Sequence, residues 1–482
     1  MEKKEKINKD RKEYLVKNTI LFALGNFGTK IISFFLVPLY TNLLSTQEYG
    51  QVDLISTIGM VIVPIVILNI SEAILRFPLD DNADDNAIMS TGIFGLILGI
   101  IISLLIFPSF GLLKIKNINP GFLYCYIISY ATFQIFTSYL RGKEKLLQYS
   151  ITNILNSLLI AIFNIIFLLG LKKGVYGYLT AYILAFSISS IYAFSVGNVK
   201  EVIKNFKIDK KITKEMLKYS IVLLPNTFLW WITNSSDRIM VSYFVGDAQN
   251  GIYAISYKIP TLLSTVAVIF NQAYSYSAIK EEKSADKNEV NNNIFKSLAA
   301  TLTIIGAIAM VMMKPFLKIY VSTSFFTAWK YTPYLIIGFV FSSLGSFLGT
   351  QYTVHKDSKG YLFSALIGAI TNIGLNAILI PQIGVSGAAI ATLVSYIVSC
   401  IYRFIDTKKY LKIEFLNKKN ILGYVLLFLI GILMYIETML GIVISIIALI
   451  AIILVYKDIV YSIIHDFIIM IKDKIYAIKN IQ

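Results

Sequence analysis

Long apolar stretches follow one another along almost the whole chain, and they restrict its fold more than any other feature. A helix needs about 20 residues to cross a hydrocarbon core of about 30 Å. The stretches that meet or approach this length are roughly 18–44, 49–76, 87–109, 119–141, 147–171, 174–196, 216–245, 249–279, 293–313, 330–352, 361–381, 384–404, 421–437 and 438–456. They lack the alternation of a β-barrel, so each is expected to be an α-helix. The sequence predicts an all-α, polytopic membrane protein with about 14 transmembrane helices.

Positive charges are distributed unevenly over this map, although the net charge of +16 could suggest a nucleic-acid partner. With the N-terminus inside, 33 of the 44 lysines and arginines fall in cytoplasmic tails and loops, seven fall outside and four lie within spans. This is the positive-inside pattern. The charge therefore reports topology, and we expect no nucleic acid as partner and both termini in the cytoplasm. The first apolar stretch is too long for a signal peptide, so we expect it to be retained.

An internal repeat relates the two halves of the chain. Residues 174–194 and 384–404 align without a gap and are identical at eight of 21 positions, and helix one aligns with helix seven at an offset of 201, which pairs Gly50 with Gly251. Six helices per unit predicts two parallel lobes around a central cavity, with the site at their interface. The predicted parts are an N-lobe (1–196), a cytoplasmic linker (197–215), a C-lobe (216–404), helices thirteen and fourteen (405–456) and an amphipathic cytoplasmic tail (457–482).

Charged residues within the spans are the candidate functional residues, because a charge at mid-membrane costs about 2.5 to 3.5 kcal/mol and usually faces a cavity or a partner. Helix one carries a polar stripe around Lys30, and the aligned stripe of helix seven includes Arg238. Two cations that face a wet cavity would attract an anion; alternatively, neighbouring helices neutralise each cation for folding alone. The predicted substrate-binding residues are Lys30, Arg238, Lys258, Asn26, Asn234 and Trp231.

Asp237 and Arg238 are adjacent, so their side chains point about 100° apart on a helix and need separate explanations. The turn at 246–248 lies midway between Asp237 and Lys258. Antiparallel helices seven and eight therefore bring these two residues to the same depth, which predicts a structural ion pair.

Helix two carries three more charged candidates. Glu72 and Arg76 are spaced i, i+4 at its cytoplasmic end, which predicts either a local salt bridge or a gate. Asp53 lies near its outer end and is either a cation site or a hydrogen-bonding group.

Cysteine and histidine usage indicates neither a catalytic nor a metal site. Cys125 and Cys400 fall within spans without metal or disulfide spacing, which favours small core residues. His355 and His465 are far apart in the sequence. We predict no catalytic residue, no metal, no cofactor and no enzyme activity, and leave open whether Na⁺ or H⁺ acts as a coupling ion.

Residues 237–281 closely resemble the seventh and eighth helices of bacterial polysaccharide flippases, the Wzx-like branch of the multidrug/oligosaccharidyl-lipid/polysaccharide exporter superfamily. "LVPLYTNLLSTQEYGQVDLISTI", "AILRF" and "YLRGKEKLLQYS" match other helix regions of that family. The resemblance implies translocation of undecaprenyl-pyrophosphate-linked oligosaccharide repeat units from the inner to the outer leaflet of the bacterial cytoplasmic membrane, for surface or capsular polysaccharide. We expect a monomer in contact with membrane lipids, with polysaccharide polymerase and glycosyltransferases as candidate partners.

Three other functions are weighed against this one. A multidrug or cation antiporter of the same superfamily needs acidic groups, whereas the deep charges here lean basic. A membrane polysaccharide polymerase usually carries a sizeable extramembrane loop, and the external loops predicted here are short. In related lipid II flippases the last two helices line a groove for the lipid tail, but Lys30 is the only basic residue in the middle of helices one and two, which makes lipid II a weaker candidate cargo.

Overall fold

The computed structural model describes residues 28–80, 83–106, 119–280, 282, 284, 286–462 and 465. These residues form helices and connecting turns, with no strand among them. The helices are α1 (28–43), α2 (Thr46–Val66), α3 (Ile70–Arg76), α4 (Asp85–Ile106), α5 (Pro120–Gly142), α6 (Leu146–Asn164), α7 (Gly174–Val196), α8 (Val199–Lys204), α9 (Lys210–Phe244), α10 (Asp247–Ser256), α11 (Lys258–Lys280), α12 (Lys287–Val311), α13 (Met313–Tyr320), α14 (Thr332–Val354), α15 (Ser358–Ile383), α16 (Val385–Asp406), α17 (Lys418–Leu433) and α18 (Met439–Val455). The predicted all-α, polytopic fold is confirmed.

Every predicted apolar stretch coincides with one helix, or with two consecutive helices, in the described part of the chain. Among the described residues, eight helices are long and apolar enough to cross a membrane, and a ninth span results if α10 and α11 are counted together. The total of 14 stays a prediction. The basic N-terminal tail and most of the predicted amphipathic tail (457–482) lie outside the described residues.

Two of the predicted spans are broken helices. The stretch 49–76 is interrupted between α2 and α3, where Leu68 and Asn69 have φ angles of +50° and +55°. Pro64 lies just before this break, and a proline inside a helix removes a backbone hydrogen bond. The stretch 249–279 is divided into α10 and α11. Hydropathy does not reveal such breaks, because the residues on both sides remain apolar.

The first compact unit consists of Met1–Ile255 and Tyr320–Phe325. Helices α5, α6 and α7 pack together, and α2 packs on α5, α7 and α9. Aromatic rings fill the space between these helices; Tyr178, for example, stacks on Tyr182 at 4.6 Å and meets Tyr40 edge to face at 5.2 Å. The unit therefore includes α9 and most of α10, although the predicted linker at 197–215 ends only six residues into α9.

The second compact unit consists of Ser256–Ile319 and Phe326–Gln482. Its central helix is α14, which packs on α11, α12 and α16. A Cβ on Gly338 would lie 3.3 Å from the Cα of Leu393, and one on Gly345 would lie 3.3 Å from the Cα of Cys400. Small residues thus allow α14 and α16 to approach closely, as is typical of membrane helices. Helices α12, α17 and α18 form a second cluster.

Cysteine and asparagine side chains illustrate how lipid complicates prediction. Cys400 is buried, as predicted for a core residue, but Cys125 is exposed on α5, so that interpretation is wrong for Cys125. Asn372 donates to Thr392 at 3.5 Å and accepts from Asn376 at 2.9 Å. These asparagines therefore join α15 to α16 through buried hydrogen bonds.

Candidate functional site

The ends of α2, α9 and α10 meet within the first unit, at the end of the helices that is predicted to face outward. Ser45 caps α2 through a capping box, because its hydroxyl accepts from the Glu48 N–H at 3.2 Å and its own N–H donates to the Glu48 carboxylate at 2.9 Å. Gly246, with φ of +113°, allows the turn between α9 and α10. The residues of this α2–α9–α10 junction are Gly50, Asp53, Asp237, Arg238, Asp247, Asn250, Gly251 and Tyr253.

Two glycines bring α2 and α10 into backbone contact. A Cβ on Gly50 would lie 1.7 Å from the carbonyl oxygen of Asp247, and a Cβ on Gly251 would lie 2.1 Å from that of Thr46. Each of these Cβ atoms would also lie 2.9 Å from the backbone nitrogen of the other glycine. Both residue pairs, 46 with 247 and 50 with 251, are separated by the repeat offset of 201. The contact is reciprocal, as expected where an approximate two-fold axis passes.

Arg238 and Asp53 form an ion pair next to this crossing. The Nη1 of Arg238 lies 2.8 Å from Oδ1 of Asp53, and their side chains are only 21% and 10% exposed. Asn250 supports the carboxylate, since its Nδ2 donates to the Gly50 carbonyl at 3.0 Å and lies 3.5 Å from Oδ2 of Asp53. Arg238 is six residues from the end of α9, or about 9 Å along the axis. It therefore lies nearer the end of the helix than its predicted mid-membrane position.

Asp237, the neighbour of Arg238, is buried and has a different set of partners. The hydroxyl of Tyr253 donates to its Oδ2 at 2.7 Å, and the backbone N–H of Arg238 donates to Oδ1 at 2.9 Å. Asp237 thus joins α9 to α10, while Arg238 joins α9 to α2, in line with the separate faces predicted for them. Lys258 begins α11 in the second unit, and its ion pair with Asp237 stays a prediction.

Asp247, at the start of α10, makes further polar contacts at the same place. The hydroxyl of Ser242, on α9, donates to its Oδ1, and the Nε2 of Gln51, on α2, lies 3.4 Å from its Oδ2. Each of the three helices is therefore connected to the other two by at least one polar contact.

The segment Tyr320–Phe325 covers the adjoining end of α1. The hydroxyl of Tyr320 donates to the Phe34 carbonyl at 2.7 Å, and the two rings stack at 4.5 Å. The hydroxyl of Ser322 donates to the Thr41 carbonyl at 2.5 Å. The predicted outer end of this unit is thus held together by a second, independent set of contacts.

The other predicted substrate-binding residues are less completely described. Lys30 lies in the first turn of the described part of α1 and has an exposed side chain; its convergence with Arg238 on one anion stays a prediction. Trp231 lies on α9, and its buried indole N–H has no hydrogen-bond acceptor within the described part of the chain. Asn26 and the side chain of Asn234 lie outside the described residues.

At the other end of the broken second span, Arg76 pairs with Asp80 at 2.5 Å, and both side chains are more than half exposed. This ion pair is one turn later than the predicted contact with Glu72. Asp80 follows the short 3₁₀ turn Phe77–Leu79, which brings its carboxylate back to Arg76. The pair is a local contact of a helix end.

Sequence reasoning missed Asn250, Tyr253 and Asp247 as members of the junction. Each lies in the first turns of α10, a segment for which the sequence predicts a turn at 246–248 and an apolar span but no polar contact to helix two. The alignment of Gly50 with Gly251 was the available signal, because a glycine kept in both halves of a repeat indicates a close backbone approach.

Comparison with known proteins places this arrangement in a family. The model of a family described as "Polysaccharide biosynthesis protein" matches residues 15–276, which is more than half of the 482-residue chain. Two uncharacterized membrane proteins of Methanocaldococcus jannaschii are similar over most of their length. One is 23% identical over 89% of this chain and 90% of its own, and the other is 22% identical over 80% and 95%.

Solved structures of two kinds of transporter share the fold. The lipid II flippase MurJ, in an inward closed conformation, has a TM-score of 0.70 at 16% identity and covers 92% of this chain and 99% of its own. An inward-facing multidrug resistance MATE family transporter of the MOP superfamily has a TM-score of 0.62 at 15% identity, over 80% and 94%. The chain is a multi-pass membrane protein with the fold of the MOP-superfamily transporters, and it belongs to the polysaccharide biosynthesis protein family.

Proposed function

We propose that this protein is a flippase that moves undecaprenyl-pyrophosphate-linked oligosaccharide repeat units from the inner to the outer leaflet of the cytoplasmic membrane, with both termini in the cytoplasm. The observation that carries the proposal is a part-buried guanidinium, Arg238, whose Nη1 lies 2.8 Å from the Asp53 carboxylate inside a chain of this family. A pyrophosphate is the part of such a cargo that needs a cation. Arginine binds phosphate oxygens well because of its planar fork of donors.

The ion pair suggests how cargo and conformation are coupled. In the structure the Asp53 carboxylate is paired with the Arg238 guanidinium, and this contact connects α2 to α9. A pyrophosphate that approaches from the inner side competes with this carboxylate for the same guanidinium. Its arrival releases α2, so the contacts at the outer end separate and the cargo can leave on that side. The empty carrier keeps the outer end closed, because a conformational change requires a ligand with different affinities for the two states.

Polar and aromatic groups of α9 extend the same site toward the sugars. The indole N–H of Trp231 is buried without an acceptor in the described part of the chain, and a sugar hydroxyl can accept from it while the ring stacks on the sugar face. Lys30 adds a second cation from α1 in this proposal. The fold alone does not distinguish lipid-linked cargo from drugs, since both kinds of transporter share it; the family match and the guanidinium of Arg238 favour the pyrophosphate.

A gene deletion tests the proposal directly. We expect the lipid-linked oligosaccharide to accumulate on the cytoplasmic leaflet and surface polysaccharide to be lost. Arg238→Ala should reproduce this defect at normal protein abundance, and Arg238→Lys should restore only part of the transport. The matched control is Arg76→Ala, which removes an exposed arginine that pairs locally with Asp80 and should leave transport unchanged.

Two results would count against the proposal. One is normal surface polysaccharide in the deletion strain. The other is drug sensitivity in that strain without any accumulation of lipid-linked oligosaccharide, which would favour the multidrug antiporter.

A further inference from the structure

The second unit has a pocket of its own that the proposed function does not use. It has a volume of about 640 Å³ and opens where α12 ends, α13 begins and α17 is followed by α18. Its walls include Leu433, Ile442 and Ile446, and its rim includes Lys314, Lys318 and Glu437. In the predicted topology this end of the helices faces outward. The pocket thus combines an apolar interior with two cations at its mouth.

Two part-exposed tyrosines, Tyr334 and Tyr435, lie next to the rim beside the buried Trp329, which is the composition expected at the membrane surface. Trp329 and Tyr435 meet with ring centroids 5.5 Å apart, and Tyr334 lies 6.1 Å from Tyr435. Trp and Tyr concentrate at the level of the lipid headgroups, where one side of the ring is apolar and the other is wet. The lysines are therefore at headgroup depth, and the part of the pocket beside α18 reaches into the acyl-chain region.

The two lysines at the rim are in different situations. Lys314 is fixed, because its ammonium donates to the Met434 carbonyl at 2.8 Å, lies 3.4 Å from the Glu437 carboxylate and sits 3.7 Å above the Trp329 ring. Lys318, one turn later on α13, is exposed and has no carboxylate partner within the described part of the chain. Glu437, the carboxylate among the described lining residues, lies nearest Lys314, so the charge of Lys318 remains for a ligand.

The wall of the pocket along α18 is apolar, so the part of the ligand that lies there needs no polar group. Ile442 and Ile446 are 54% and 43% exposed. The Ser445 hydroxyl between them is satisfied by the Gly441 carbonyl at 2.8 Å. An extended hydrocarbon chain can therefore lie along this face without leaving a buried polar group unpaired.

The distribution of lysines shows that these cations are unusual. Outer loops are poor in Lys and Arg under the positive-inside rule. Three of the seven cations predicted to lie outside fall within residues 314–330, namely Lys314, Lys318 and Lys330. Topology does not require this cluster, and two of its three members, Lys314 and Lys318, lie at the rim of the pocket.

We propose that this pocket binds an anionic phospholipid of the outer leaflet, with the phosphate at Lys318 and Lys314 and one acyl chain along α18. Basic pockets between transmembrane helices recognise lipid phosphates in this way. The phosphate neutralises the charge of Lys318, and the acyl chain fills the groove beside Ile442 and Ile446. Because the ligand is a lipid of the bilayer itself, the inference does not depend on the cargo in the proposed function.

Lipid retention measured by native mass spectrometry tests the inference. The full-length protein is purified from nanodiscs that contain phosphatidylglycerol and phosphatidylcholine with identical acyl chains, and a small amount of undecaprenyl pyrophosphate. We expect phosphatidylglycerol to be retained several-fold over phosphatidylcholine, and this preference to weaken at high salt. Lys318→Gln should abolish the preference, whereas Ser445→Phe, which fills the groove, should reduce retention of both lipids.

The control is Lys330→Gln, which removes a nearby cation that does not line the pocket. It should leave the preference unchanged, and all variants should keep the elution volume and melting temperature of the wild type. Equal retention of both lipids by the wild type would overturn the inference, as would equal effects of Lys330→Gln and Lys318→Gln. Retention of undecaprenyl pyrophosphate but of neither phospholipid would also overturn it, and would assign the pocket to cargo.

Discussion

At the scale of single residues, the adjacent charges Asp237 and Arg238 were the most informative feature of the sequence. Helical geometry alone predicted that they serve different faces, and the structure gives them the separate partners Tyr253 and Asp53. The identity of those partners could not be predicted. Asp53 is 185 residues away from Arg238, and no local pattern indicates which distant helix packs beside α9.

The Asp53–Arg238 pair should be energetically coupled. We expect Asp53→Asn to lower the melting temperature, because it leaves a part-buried guanidinium without its carboxylate. Arg238→Gln in the same chain should recover part of the loss. A double-mutant cycle, measured by unfolding in detergent, should give a coupling free energy of about 1 to 3 kcal/mol.

A second cycle on Arg76 and Asp80 provides the matched control. These side chains are 51% and 57% exposed, so their coupling should stay below about 1 kcal/mol. If the two cycles give the same coupling, the buried pair has no special role in holding α2 against α9.

At the scale of helices, the repeat predicted more than the hydropathy did. The offset of 201 aligned Gly50 with Gly251, and the two glycines meet across the crossing of α2 and α10. Hydropathy located the apolar stretches but not the break between α2 and α3, because helix breaks depend on backbone geometry. The crossing could be expected from glycine pairing, whereas the polar network around it depends on side chains that the repeat does not conserve.

The close crossing of α2 and α10 predicts that replacing glycine by alanine lowers the stability of the protein at Gly50, whereas the same replacement at Gly374, away from the crossing, raises it. Gly50→Ala should destabilise the protein and impair transport, since its Cβ would lie 1.7 Å from the Asp247 carbonyl oxygen and force α2 away from α10. Gly374→Ala, on α15, meets no atom within 4 Å and should stabilise its helix by up to about 1 kcal/mol. Thermal unfolding of both variants, with a transport assay, measures the difference.

A Gly50→Ala protein as stable and as active as the Gly374→Ala protein would contradict this account of the crossing. Gly251→Ala provides an independent check. Its Cβ would lie 2.1 Å from the Thr46 carbonyl oxygen, so it should behave like Gly50→Ala.

At the scale of the whole molecule, composition predicted the class of protein, while the topology inferred from the charge pattern stays a prediction. Composition and charge could not predict which helix faces are buried, because lipid and protein interior are almost equally apolar and leave no polar face on a lipid-exposed helix. Cys125 and Ile191 show the consequence, since both are exposed although nothing in the surrounding sequence marks them as such. The division into compact units likewise depends on packing that periodicity does not encode.

The central claim is that Arg238 carries a lipid pyrophosphate across the bilayer. Purified protein in liposomes, loaded with undecaprenyl-pyrophosphate oligosaccharide, tests it most directly when a glycosidase that cannot cross the membrane is added outside. We predict that wild-type protein and Arg76→Ala expose nearly all of the oligosaccharide to the enzyme, while Arg238→Ala leaves the inner-leaflet fraction protected. Wild-type vesicles that protect the same fraction as protein-free vesicles, or Arg238→Ala vesicles that expose it at the wild-type rate, would contradict the account.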